Sequence, residues 1–168
     1  MVEGSVELLT AILVRYPEVA TINFAPDRQV LEFNFIASRA LSRAEKSALK
    51  GRLAESIEVF NLLEERQVRI KRVDHRSYGN LTIIRVQRDV ESLVQEEIAL
   101  MVEVLRHFLG EDLVAETNEA IYEEELILRE RLIKHMLDGM RYMAEEKHLF
   151  AFREGGRVLV FNKQVERL

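Results

Sequence analysis

Apolar positions recur along the chain in a threefold pattern: a stretch with helical spacing, then two alternating runs joined by a short turn. The first unit runs from Ser5 through Ile36. Leu8, Leu9, Ile12, Leu13 and Tyr16 share one helical face. Pro17 ends that helix, because it lacks an amide hydrogen and disfavours the α conformation at Tyr16. Ile22 and Phe24, a turn at Pro26-Asp27-Arg28-Gln29, and Leu31, Phe33 and Phe35 follow with the period of two expected of half-buried strands. A loop of that length sets Phe24 opposite Leu31 and Ile22 opposite Phe33.

The second unit opens at Ser42, where Ser42-Arg43-Ala44-Glu45 reads as a capping box. Leu49, Leu53, Ile57 and Phe60 line one side of a helix expected to end near Glu65. Val68 and Ile70, a turn around Tyr78-Gly79-Asn80, and Ile84 and Val86 predict a second hairpin, with Ile70 facing Ile84 and Val68 facing Val86. The third unit is a helix from about Glu119 to Lys147, then strands over Leu149 to Phe152 and Val158 to Phe161. The Gly155-Gly156 pair between those strands suits a two-residue turn with positive φ at both positions. In that register Phe150 faces Phe161, Phe152 faces Leu159, and Ala151 lies beside Val160 on the other side, so the hairpin is expected to be covered on both faces. An additional helix, from about Val90 to Leu109 with Gly110 as its C-cap, is apolar around most of its circumference. It is therefore either the central core element or half of a subunit interface.

These elements predict an α+β fold of αββ-type repeats: an antiparallel sheet with helices packed mainly on one face, plus a C-terminal long helix and β-hairpin. An αββαββα core is expected over residues 1–110. The helix and hairpin of residues 111–168 pack on that core or on a partner subunit. The polar stretch Glu111-Asp112 to Asn118 is the one plausible boundary.

Composition narrows the chemistry. The 168 residues include no cysteine, which excludes disulfides, thiolate nucleophiles and cysteine-ligated metal centres. No apolar run approaches the roughly 20 residues that span a bilayer, and no signal-peptide pattern opens the chain, so a cytoplasmic protein is expected. No catalytic residues can be nominated, since the chain lacks Gly-x-Ser-x-Gly, His-Glu-x-x-His, a phosphate-cradling glycine loop and a dinucleotide fingerprint. No cofactor is implied.

Charge is unevenly spread. Net charge is −5 overall, yet Arg66 to Arg88 holds seven basic residues against Asp74 alone, a local +6 that leaves −11 for the remainder. Arg69, Lys71, Arg72, Arg76 and Arg85 form a candidate polyanion site, with Tyr78 and His75 at the loop for stacking. In the expected register Arg69 opposes Arg85, and like charges in that position destabilise a strand pair. A solvated sheet face or an acidic helix explains the same residues, and whole-chain acidity opposes an approaching polyanion; nucleic acid is possible but not favoured.

Metal candidates are weaker. Glu145 and His148 have a Glu-x-x-His spacing, and Glu103 with His107 lies one turn apart, but a di-metal bundle needs a second such motif and two further glutamates. Glu123-Glu124-Glu125 reads as the acidic start of a helix, and His135 with Asp138 as a surface pair.

The long third helix carries two apolar stripes: Leu126, Ile133, Leu137, Met140 and Ala144 on one, Ile121, Leu128, Leu132, Met136 and Met143 on the other. About thirty residues at roughly 1.5 Å each exceed what a domain of this size spans comfortably. One stripe can pack on the chain's own sheet, and the other needs a partner. A homodimer is expected, with Leu126, Ile133, Leu137 and Met140 as candidate interface residues. The favoured function is a non-enzymatic, homo-oligomeric interaction or scaffold module. Polyanion binding is the alternative and a metal-dependent hydrolase the second alternative.

Overall fold

The computed structural model describes residues 2–116, 123–140 and 148–163. Along them run α1 (Val2–Arg15), β1 (Thr21–Ala25), β2 (Val30–Ala37), α2 (Arg43–Leu63), β3 (Lys71–Tyr78), β4 (Leu81–Asp89), α3 (Gln95–Leu109), a single 3₁₀ turn (Gly110–Asp112), α4 (Glu123–Met140), β5 (His148–Glu154) and β6 (Arg157–Lys163). The strands form one six-stranded antiparallel sheet in the order β3-β4-β2-β1-β5-β6. The fold is α+β. Because β5 pairs with β1, the third unit completes the sheet begun by the first.

Alternation sorts the strand residues. Ile22, Phe24, Leu31, Phe33, Phe35, Ile84, Val86, Leu149 and Ala151 all turn to one side and are buried there with residues of α1, α2 and α3. α1 covers β1, β5 and β6, whereas α2 lies on β3 and beside α3. The first hairpin has the expected register, Phe24 opposite Leu31 and Ile22 opposite Phe33. α1 ends at Arg15, just before Tyr16 and Pro17. α3 is the central element: Ile98, Met101, Val102, Leu105 and Leu109 are buried, and Gly110 caps it at φ 57°. Where β1 has not yet begun, Leu113 takes its lane, bridging Ala37 of β2.

The capping box at Ser42 is complete. The Glu45 amide donates to Ser42 Oγ, and the Ser42 amide donates to Glu45 Oε1, each at 3.1 Å. The Arg39 guanidinium at 2.7 Å, followed by the Ser42 amide, draws the Glu45 carboxyl down to about 2.

The second hairpin departs from its expected register. Val73 rather than Val68 lies opposite Val86, His75 rather than Ile70 opposite Ile84, and Asp74 rather than Arg69 opposite Arg85. The cause is turn chemistry. Tyr78 pairs directly with Leu81 across a two-residue turn, with Gly79 at φ 54° in its first central position, as in II′ hairpins. A tighter turn moves β3 along β4, so Val68 and Ile70 precede the strand and the opposed arginines disappear. α2 likewise stops at Leu63, before Glu65, which adopts φ 55°.

A buried ionic cluster joins β4 to α3. Arg88 follows Val86 and Ile84 on the helix-facing side, fully buried, and donates to Glu97 from Nε at 2.6 Å and from Nη2 at 2.8 Å. Its Nη1 donates to Asp89 Oδ1 at 2.5 Å and to the Ile70 carbonyl at 2.9 Å. Asn61 of α2 donates to Glu97 at 2.7 Å, and Ser92 donates to Asp89 through both its hydroxyl and its amide. Burial alone would raise the Asp89 carboxyl. The hydrogen bonds from the Ile70 amide and Ser92, with the Arg88 charge, outweigh it and hold the group below its ordinary value.

Three outcomes follow. Ser42→Ala removes the cap and lowers stability by about 1 kcal/mol, read from the urea midpoint. Glu97→Ala strands a buried guanidinium and costs about 3–5 kcal/mol on the same measurement, far more than any exposed glutamate. A carboxylate with a depressed folded-state pKa adds stability above its unfolded value of about 3.9, and that stability is lost as pH falls through the lower folded value. Asp89→Asn is therefore less stable than wild type at pH 7, and the gap between the two narrows in denaturation series carried below about pH 4.

Candidate interaction surface

The side of the sheet away from the helices carries the other half of each alternation, and its character changes from end to end. In the middle, Glu32 accepts from Asn23 at 2.7 Å and from Gln87 at 2.9 Å, while Asn34 donates to Thr21 at 2.9 Å. These polar ties satisfy one another and need no cover. At the β5–β6 end the same face is aromatic. Phe152 lies 5.5 Å from Phe150 and 5.6 Å from Phe161, centroid to centroid. Phe150 and Phe152 also line a shallow cavity of about 400 Å³ with Pro17, Ala20, Ile36 and Val114. The last hairpin has its expected register, Phe150 opposite Phe161 and Phe152 opposite Leu159. It is covered on one face only. Leu149 and Ala151 are buried, whereas Phe161 is 53% exposed, because no helix crosses to this side among the described residues.

Arg153 shows how the hairpin is anchored. It shares parity with Ala151, and its guanidinium donates to the carbonyl of Leu13 in the last turn of α1 and to those of Tyr16 and Val19 just beyond it. Burial is the main influence on its pKa, which lies below the ordinary arginine value.

The candidate basic residues do not converge. Arg69 donates to the Arg28 carbonyl at 3.0 Å, and Lys71, on the helix side, donates to Glu58 of α2 at 3.3 Å. Arg72, Arg76 and Arg85 share the open face, but Arg72 pairs with Asp74 at 2.9 Å and Arg85 with Glu32 at 3.6 Å. Arg76 stacks over Tyr78, its guanidinium carbon 5.2 Å from the ring centre. Arg76, Tyr78 and Arg85 border a cleft of about 140 Å³ with Asn34, His75 and Ile83.

α4 packs on α1 and touches α3, tied by Arg15 to Glu130 at 2.5 Å. Its two stripes differ in burial, although Met136 of the second also packs against the core. Ile133, Leu137 and Met140, nominated as interface residues, are buried in the chain's own core. The stripe left to solvent includes Leu128, 62% exposed, and Leu132, 44% exposed, and Ile127 beside them is 45% exposed. Leu126 lies outside the residues whose side chains are described, as do Ala144 and Ile121.

A further cleft of about 570 Å³ separates the end of α2 from the start of α3 and from α4, lined by Glu64, Arg66, Gln95, Glu96, Lys134 and Asp138 among others. Among the described residues no three histidines, aspartates or glutamates gather as metal ligands. Glu145 falls outside the described residues, His148 contacts Asp27 at 3.2 Å, and Glu103 pairs with Arg106 at 3.2 Å. No helix among the described residues is long and apolar enough to cross a membrane.

Comparison with protein-family models, curated proteins and solved structures returns no match for this chain.

The Arg88 cluster and the Arg153 anchor were not anticipated from sequence, although both had a signal: each arginine sits at a strand position whose neighbours two residues earlier are buried apolar residues.

Proposed function

We propose that this chain is a non-enzymatic interaction module that self-associates through its C-terminal helix and hairpin. One observation carries the reading: α4 remains apolar and exposed along Leu128 and Leu132, with Ile127 adjoining, after its other stripe has been buried. Scattered exposed leucines are ordinary, but a run at helical spacing beside a satisfied stripe is what a second helix packs against. The aromatic end of the sheet, with Phe161 exposed, belongs to the same C-terminal segment and adds apolar surface that water covers poorly. A closed two-fold dimer is the common way for a soluble chain to cover such surface.

Polyanion binding draws less support, since Arg69 and Lys71 are engaged elsewhere and Arg72 and Arg85 already have carboxylate partners. Metal-dependent hydrolysis has no described ligand cluster to support it.

Light scattering at low micromolar concentration is expected to give twice the 19.6 kDa chain mass. Replacing Leu128 and Leu132 together by glutamate would desolvate two charges on association, and is expected to raise the dimer dissociation constant by about a hundredfold or more. The dilute monomer should keep its urea midpoint, because both side chains already face water. A wild type that stays monomeric at every concentration tested would sink the reading.

A further inference from the structure

The two edges of the sheet are unlike. β3 is bordered by Lys71, Arg72, Asp74, His75 and Arg76, the charged dressing that discourages strand addition. β6, at the other edge, reads Arg157-Val158-Leu159-Val160-Phe161-Asn162-Lys163, with charge only at its two ends, and among the described residues nothing pairs with its outer side.

Register defines which backbone groups that edge offers. Gly155 and Gly156, at φ 57° and 78°, close a two-residue turn, so Glu154 and Arg157 form a hydrogen-bonded pair. Bonding alternates along the ladder from there. Arg157, Leu159 and Phe161 bond inward to β5, and Val158 and Val160 direct their N–H and C=O groups outward. Those outward groups form an unfilled half-ladder whose complement is another antiparallel strand.

We infer that the occupant is β6 of a second copy, paired antiparallel about a two-fold axis at Leu159, which joins two sheets into one of twelve strands. This deepens the self-association reading and rests on it. Charge selects both partner and register. Pairing β6 with β3 of another copy would bring Arg157 or Lys163 against the basic β3 edge and would propagate rather than close. An axis at Val160 would oppose Arg157 with Lys163, a like-charge pair. An axis at Leu159 opposes no like charges: Leu159 faces its own copy, Val158 faces Val160, and Arg157 faces Phe161, where a guanidinium can lie on a ring. Val158 and Val160 then exchange backbone hydrogen bonds across the axis. On the open face Leu159 and Phe161 join the Phe150 and Phe152 clusters of both copies into one apolar strip, and on the opposite face Val158 and Val160 extend the helix-covered core.

The cysteine-free chain makes the geometry directly testable. Residues facing each other in a non-hydrogen-bonded antiparallel pair have Cα atoms about 4.5 Å apart, within disulfide range. Leu159→Cys is expected to form a covalent dimer rapidly under mild oxidation at micromolar concentration, while Leu81→Cys, exposed at the far hairpin, stays single. In the unaltered protein, hydrogen exchange at the Val158 and Val160 amides should slow at least tenfold from dilute to dimer-forming concentration, whereas the Leu159 amide, already bonded to β5, changes little. Preferential cross-linking of Val160→Cys overturns the register. A light-scattering dimer whose Leu159→Cys form does not cross-link and whose Val158 and Val160 amides exchange freely overturns edge pairing and leaves self-association through α4. A monomer removes both.

Discussion

A buried guanidinium sets the terms for the rest of this structure. Arg88 is fully buried and bonds to protein groups that lie on separate elements: Glu97 on α3, Asp89 at the end of β4, and the Ile70 carbonyl just before β3. Asn61 links α2 to the same carboxylate. A slip of β4 by one residue, or a rotation of α3, would leave a charge unpaired in a low-dielectric interior, which is costly enough to discourage the wrong arrangement. The cluster thereby connects strand register to helix placement. The same logic recurs on a smaller scale where Arg153 closes the end of α1 against β5, and where Arg106 meets Glu18.

With the helices committed to one side, the sheet is left asymmetric. The middle of the open face is self-satisfied by Glu32, Asn23, Asn34 and Gln87, and can stay wet. At the β5–β6 end the phenylalanines pack on one another instead. The edges repeat the contrast, charged at β3 and apolar at β6. α4 shows a third version of it, one stripe buried and the other exposed at Leu128 and Leu132. Exposed apolar side chains thus lie at the end of α2, where Leu62 and Leu63 face water, and again after residue 120, at Ile127, Leu128, Leu132 and Phe161.

Much of the fold was legible in the residues. Pro17, the Ser42 capping box, the four-residue turn before Val30 and the Gly155-Gly156 pair are local devices whose geometry follows from backbone sterics, and each produced the element and register read from it. The second hairpin was misread because Tyr78-Gly79-Asn80 allows several turn lengths, and the apolar marks on β3 are sparse: Val73 is the sole strongly buried residue of that strand. The same shift rearranges the candidate basic residues, because an odd change of register alters which residues of the two strands share a face: Lys71 parts from Arg85, which Arg72 and Arg76 join instead.

By itself, then, the sequence determined the class of fold, the identity of nearly every element and the side of each strand that turns inward, because hydrophobic periodicity and turn residues act over a few positions. Tertiary structure alone decided which of the two α4 stripes is covered, that Arg88 lies in the core with Glu97, and that β6 is the edge strand among the described residues. Those outcomes depend on which elements meet across long separations in the chain. Periodicity marks a face as apolar, but only packing determines what, if anything, lies against it.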